Sequence, residues 1–416
     1  MNHSTKVQEL IPNLFREQYA KMTAVLCRHF GLAHIEIAED IVSDTFLKAT
    51  ERWTSEGIPQ HPEAWLYTVA KNKTKDYFKH QAVFDQKVKN QISQNTDQED
   101  VLIELDSTTS TDSQLAMIFA ICDPIIPVEG QLCLALQILC GFSIDEISNA
   151  LLTQKETIKK RLFRAKNQLR ASNFEIKALL PTQLAQRLPQ VHKTLYLFFN
   201  EGYFSTNHNQ VIRKELCYEA LRLTVMLTAN DSTNTAETNA LLALLCYQSS
   251  RLDARVNHQG ELVLFDQQRI ADWDTALIDK GNYYLVQATN QEETSKYHLE
   301  AAIAYWHTTQ NLAKWTSILG LYNQLILVEY SPITALNRTF AFAQVYGAAA
   351  GIKEAEKLKL LNNRFYYELL GYLYTTVNPS KAIHLYQKAL EFPQSLAEQN
   401  VVHKKIAELT QHQNKK

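Results

Sequence analysis

Apolar positions from Ile158 to Leu169 recur at helical spacing. Drawn at 100° per residue, Ile158, Leu162, Ala165 and Leu169 fall on one narrow stripe. The opposite face carries Glu156, Lys160, Phe163 and Asn167, flanked by Lys159 and Arg164, with Lys155 at the start. Ser143-x-x-Glu146 and Thr153-x-x-Glu156 both have the form of a capping box, one ten residues after the other. They predict a short helix from residue 144 to about 151, a tight turn, and a longer basic helix. That is the helix-turn-helix plan, whose second helix enters a DNA major groove. Over residues 153–166 six basic residues stand against one acidic residue. The competing reading is an amphipathic helix whose charged face is merely solvated.

A second pattern occupies residues 36–80. In EIAEDIVSDTFLKATERW, the residues Ile37, Ile41, Val42, Thr45, Phe46 and Ala49 make an apolar stripe, and Asp40 and Asp44 share another face. In HPEAWLYTVAKNKTKDYFKH, the residues Trp65, Leu66, Val69 and Phe78 read as core. Lys71, Lys73, Lys75, Tyr77 and Lys79 stay available. Lysines interleaved with aromatics suit unpaired nucleic acid, whose bases stack on rings, although Trp and Tyr are also ordinary core residues.

Towards the C-terminus a repeat signal emerges. Tyr367-x2-Leu370-Gly371-x2-Tyr374, then Ala382-x3-Tyr386-x2-Ala389 and Pro393, come close to the tetratricopeptide (TPR) pattern. Trp315-x2-Ile318-Leu319-x2-Tyr322 is a weaker echo. Residues 284–416 are read as divergent helical hairpins, against the alternative of a plain helical bundle.

Composition narrows the fold class. Only 11 glycines and 10 prolines occur in 416 residues, and 45% of positions are hydrophobic, so an all-α protein with packed cores is expected. The length asks for more than one domain. A net charge of −2 confines any nucleic-acid surface to a patch. The six cysteines are scattered without a C-x-x-C pair, so buried thiols are expected and no zinc or disulfide framework. Residues 91–112 carry six acidic residues and no Lys or Arg, the mark of a flexible tether. The start MNHSTKVQELIPNLFREQY lacks an apolar leader core and no apolar run approaches 18 residues, so a soluble cytoplasmic protein is expected. No phosphate loop, nucleophile elbow or zinc-protease motif occurs, so neither enzyme activity, cofactor nor metal is assigned. NEGYF, residues 200–204, is compact and polar; it could line a ligand pocket, or close a helix end with Gly202 in a left-handed turn.

Together these stretches resemble the bacterial sigma-70 family, in its extracytoplasmic-function type. AEDIVSDTFLKA resembles region 2.2, PEAWLYTVAKNKTKDYFK regions 2.3 to 2.4, and SIDEISNALLTQKETIKKRLFRAKNQLR region 4.2. LYLFFNEGYFST, ELCYEALRL, GELVLFDQQRIADWD, YHLEAAIAYWHT and SPITALNRTFAFAQVYGAAAG resemble the subgroup with a TPR-like C-terminal extension. The resemblance implies region 2 over residues 8–82, a linker at 83–112, and region 4 over 113–172. An extension domain at 184–283 and TPR-like repeats at 284–416 would follow.

It also implies partners: core RNA polymerase, through its clamp helices and flap, promoter DNA, and an intramolecular or peptide partner for the extension. Asp40, Asp44, Phe46 and Leu47 would dock on the polymerase. Trp65, Lys71, Asn72, Lys75 and Tyr77 would face the −10 element, bordered by the loop TSEGIPQH. Lys155, Glu156, Lys159, Lys160, Phe163 and Arg164 would read the −35 duplex. Two positions depart from the family: Leu152 stands where the turn often has Gly, and Ile121-Cys122-Asp123-Pro124 where the subgroup commonly shows Cys-Cys-His-Pro. The alternative class is a TPR-type interaction protein, or a helix-turn-helix regulator acting without polymerase.

Overall fold

The computed structural model describes residues 3–89, 107–151, 153–171, 176, 180–203, 213–257, 263, 265–289, 294–311, 313–394 and 396–414. These residues are helical with connecting turns, as the composition predicts. They divide into two compact units, residues 1–194 and 195–416, with the division inside one helix.

The first unit begins with α1 (His3–Phe30), α2 (Ile35–Glu56) and α3 (Pro62–Lys89). Gly57, at φ 95°, ends α2 by returning its N–H to the Trp53 carbonyl, and Pro62 opens α3 where no N–H is needed. The chain resumes with α4 (Ser107–Ile121), α5 (Val128–Leu134), a π-helical turn (Ala135–Leu139), α6 (Ile144–Ala150) and α7 (Lys155–Ala171). Helices α3 and α4 therefore enter the expected 83–112 linker from both sides, and residues 90–106 lie outside the described residues. The Ser/Thr-rich start of α4 is poor in helix propensity. Its apolar run overrides this, since Met117, Ile118, Phe119 and Ile121 are wholly buried.

The two segments read from the sequence as separate bodies on a tether pack as one. Helix α1 lies against α2, against α4 and against the π-helical turn. Gly141, at φ 70°, ends that turn where a Cβ would come within 2.9 Å of the Phe15 ring. Gln131 is buried at the centre of a polar knot. Its Nε2 donates to the Asp123 and Ile126 carbonyls, and its Oε1 accepts from Thr194 at 2.6 Å and Gln190 at 3.1 Å. The Asp123 carboxylate pairs with Arg187 at 2.9 Å. The departure from Cys-Cys-His-Pro thus has a structural occupation.

The division falls within α8 (Pro181–Tyr203). The second unit continues with α9 (Lys214–Leu227), α10 (Ala236–Ser249), α11 (Thr275–Ala288), α12 (Lys296–Thr308), α13 (Lys314–Val328) and α14 (Pro332–Tyr346). It ends with α15 (Ala348–Leu358), α16 (Arg364–Tyr374), α17 (Pro379–Leu390) and α18 (Leu396–Asn414). Each helix from α12 onward packs on the next, and α16 also reaches α14. The repeat-like residues are the packing residues: Tyr367, Leu370, Ala382, Tyr386 and Ala389 are all buried, and Gly371 sits directly under the Tyr386 ring. Gly202 differs from expectation. It lies inside helical α8, not in a left-handed turn, and a Cβ there would meet the Arg213 carbonyl at 2.8 Å. Close approach to the start of α9 is what requires glycine.

Candidate nucleic-acid and polymerase interface

Helices α6 and α7 follow one another across a short turn, and the expected apolar stripe of α7 is buried. Ile158, Leu162, Ala165 and Leu169 are each no more than 4% exposed. Ser143 and Glu146 make both hydrogen bonds of a capping box at the start of α6. The second expected box does not form. The Thr153 hydroxyl donates to the Leu151 carbonyl, its N–H donates to the Ser148 carbonyl, and its own carbonyl accepts from the Ser148 hydroxyl at 2.6 Å. Thr153 therefore closes the turn, and Gln154 supplies the first helical carbonyl. Glu156 is left to bond Lys159 at 2.7 Å, which holds its carboxyl below the usual range.

Glu156, Lys159, Lys160, Phe163 and Arg164 are exposed on the face opposite the core. No carboxylate pairs with Lys160 or Arg164 among the described residues, so both ammonium and guanidinium groups face water with free donors. Phe163 is 64% exposed, an apolar surface in the middle of a cationic face. Such a residue can meet a thymine methyl or a sugar. Lys155 stands apart: it turns towards α6 and pairs with Asp145 at 2.8 Å.

On α2, Asp40, Asp44 and Leu47 fall on one outward face, with Leu47 59% exposed. Phe46 does not join them. It is 4% exposed, edge-on to Phe15 at 5.0 Å, so it supports that face from the core and cannot itself present a docking surface. Asp44 accepts from Lys73 of α3 at 3.1 Å. On α3, Asn72 and Lys75 are exposed and Lys71 half-buried. Trp65, half-buried and edge-on to Trp53 at 5.3 Å, borders the same side. Tyr77 lies about 120° around the helix from Trp65, away from that group. The side chains of Phe78 and Lys79 lie outside what is described.

Sequence reasoning missed the ion pairs that hold α7 to α2. Lys166 meets Glu39 at 2.6 Å with both side chains largely buried, and Arg170 meets Glu36 at 2.9 Å. Burial raises the Glu39 carboxyl despite the opposing pull of Lys166. The Tyr19 hydroxyl donates to the other Glu39 oxygen at 3.4 Å. The only local signal was a glutamate on the apolar side of α2, beside Ala38 and Val42.

Among the described residues no cluster of metal-ligating side chains occurs. The six cysteines are buried and unbonded to one another, with burial pushing Cys122 up to about 12. No described helix is long and apolar enough to cross a membrane.

Residues 14–83 match the family model of sigma-70 region 2. Residues 187–289 match a family of unknown function, DUF6596. An uncharacterized protein of Rhizobium meliloti (strain 1021) is 29% identical over 348 residues, covering 82% of each chain. No solved structure matches. The match over α1 to α3 supports a sigma-70 family factor, a non-enzymatic class that meets core RNA polymerase and promoter DNA in transcription initiation.

Proposed function

We propose that the protein is a promoter-specificity factor of the extracytoplasmic-function type, with a TPR-like C-terminal extension that regulates it. The region 2 match carries the reading. The acidic face of Asp40 and Asp44, with exposed Leu47, is suited to a basic helical pair on core polymerase. The side of α3 bearing Trp65, Lys71, Asn72 and Lys75 is suited to unpaired −10 bases. Stacking contributes about 1–3 kcal/mol per captured base, enough to offset the few kcal/mol that each unstacked step costs. Lys159, Lys160 and Arg164 hold phosphates of the −35 duplex while Glu156 and Phe163 approach base edges. Binding energy kept for the melted state opens the strands, with no covalent step.

Such a factor has to reach two elements about 25 base pairs apart, which is about 85 Å of B-DNA at ~3.4 Å per base pair. A compact body of 194 residues has a radius of gyration of about 16 Å and so a diameter of about 42 Å. The packed first unit cannot span that distance. We read it as the resting form, in which α7 must part from α2 before both elements are engaged.

Run-off transcription with core polymerase, the full chain and a genomic promoter library tests the proposal. Lys160→Glu is expected to abolish promoter-directed transcripts while polymerase capture by the full chain stays near wild type. A wild-type chain that neither captures core polymerase nor yields any transcript would overturn the reading. It would leave the polymerase-independent alternatives.

A further inference from the structure

The second unit contains a cavity of about 1100 Å³ between the end of α8, α10, α12, α13, α14, α16 and α18. Along its wall five rings from different elements stand one against the next, mostly edge to face. Phe265 lies 5.0 Å from His307, His307 5.7 Å from Trp315, Trp315 5.5 Å from Phe340, and Phe340 5.3 Å from Tyr372. These are core-sized apolar surfaces, yet they face open space.

One end of the row is cationic. Arg251 sits 4.9 Å above Phe265 and donates to the Tyr203 hydroxyl at 3.1 Å. Arg255 lies 3.8 Å over the Tyr203 ring and donates to its carbonyl at 2.9 Å. Lys314 lies 5.8 Å from the Trp315 ring. No carboxylate pairs with Arg251 or Lys314 among the described residues. Three of the four acids lining the cavity are engaged elsewhere: Glu329 with Lys296 at 2.7 Å, and Glu368 and Glu398 with Arg364 at 3.2 and 2.6 Å. The fourth, Glu300, accepts from the Tyr196 hydroxyl at 3.3 Å, and burial raises its carboxyl to about 7, which favours its neutral form. A half-buried cation without a counter-charge is costly, and Arg251 and Lys314 are two such groups. At the same end His307 Nδ1, Gln248 Oε1 and Gln268 Oε1 are buried with no hydrogen-bond partner. Buried polar atoms are nearly always paired. The two glutamine oxygens are acceptors and call for a donor on the occupant, while the uncompensated Arg251 and Lys314 call for an anionic group.

We propose that this cavity binds a small organic anion, its carboxylate or phosphate held between Arg251, Arg255 and Lys314 and its apolar body laid along the ring row. The cavity's residues are separate from every residue placed at the polymerase and DNA faces. The binding chemistry does not depend on the transcriptional reading, because it is measured without polymerase or DNA.

The test uses the full chain and two fluorescent probes of similar shape, anionic anilinonaphthalene sulfonate and uncharged N-phenyl-1-naphthylamine. The anionic probe is expected to bind at one saturable site, with Lys314→Gln and Arg251→Gln each weakening it at least ten-fold. The uncharged probe should change less than two-fold in both. Trp315→Ala should weaken both probes. Lys314→Arg should retain the anionic probe, which separates charge from folding, as should unchanged circular dichroism in Lys314→Gln. Displacement by phenylbutyrate or by phenyl phosphate tells which head group fits. Equal anionic-probe affinity in wild type and both charge variants overturns the proposal. So does displacement only by a glutamate-rich peptide, which would assign the groove to a protein partner.

Discussion

Lys160 and Lys166 are six residues apart on α7 and meet opposite physics. Lys160 is exposed and unpaired, so its value lies entirely in what docks on it. Lys166 is buried against Glu39, and its ammonium is part of the fold. Glu300 shows a third situation. Burial, reinforced by Glu329, raises its carboxyl to about 7 even though Tyr196 and Lys296 pull the other way. The folded state therefore holds this proton when the unfolded chain has already released it. The resulting stability is fully present below about pH 4.5 and is lost as pH rises towards about 7. The melting temperature of the wild type should fall across that window. Glu300→Gln should flatten the fall, and an identical pH profile in the variant would show that Glu300 is not the titrating group.

Among elements, the α16–α17 hairpin is where sequence pattern and packing correspond most closely. Gly371 allows the Tyr386 ring to lie on the helix backbone; a Cβ would sit 2.9 Å from the ring carbons. Gly371→Ala gains helix propensity but forces the hairpin apart. Overpacking costs about 1–3 kcal/mol against a propensity gain of ~1 kcal/mol, so a net loss of up to about 2 kcal/mol is expected in urea unfolding. A stabilised variant would mean that Tyr386 swings away freely. Helix α7 makes the complementary point. Its core stripe was legible because burial repeats at the helical period, whereas its start was misplaced at Thr153. A hydroxyl three residues before a glutamate fits a capping box and a closed turn equally well, and only the position of Ser148 selects the turn.

For the molecule as a whole, the decisive contacts are those joining α2 to α7 across 127 and 134 residues of chain. Glu39→Lys sets like charges together in a nearly dry site and should open the first unit. Small-angle scattering should show a larger radius of gyration, and proteolysis should cut faster between α3 and α4. The exchange Glu39→Lys with Lys166→Glu should restore the compact form, since the pair is rebuilt with its charges reversed. Unchanged scattering in the single variant would remove this pair as the latch and, with it, the resting-form reading. Breaking one partner of a buried pair costs about 3–5 kcal/mol, so the single change is large enough to see.

Composition and local periodicity determined the helical class, the apolar stripes of α2 and α7, the shared face of Asp40 and Asp44, and the packing residues of α16 and α17. Each follows from side-chain spacing within one or two helices. The same spacing could not say that Phe46 faces Phe15 or that Lys155 leans to Asp145. Nor could it bring Glu39 to Lys166, or gather Arg251, Arg255, Lys314 and five rings around one cavity. Those arrangements join residues distant in sequence, and only burial and charge pairing in three dimensions select them.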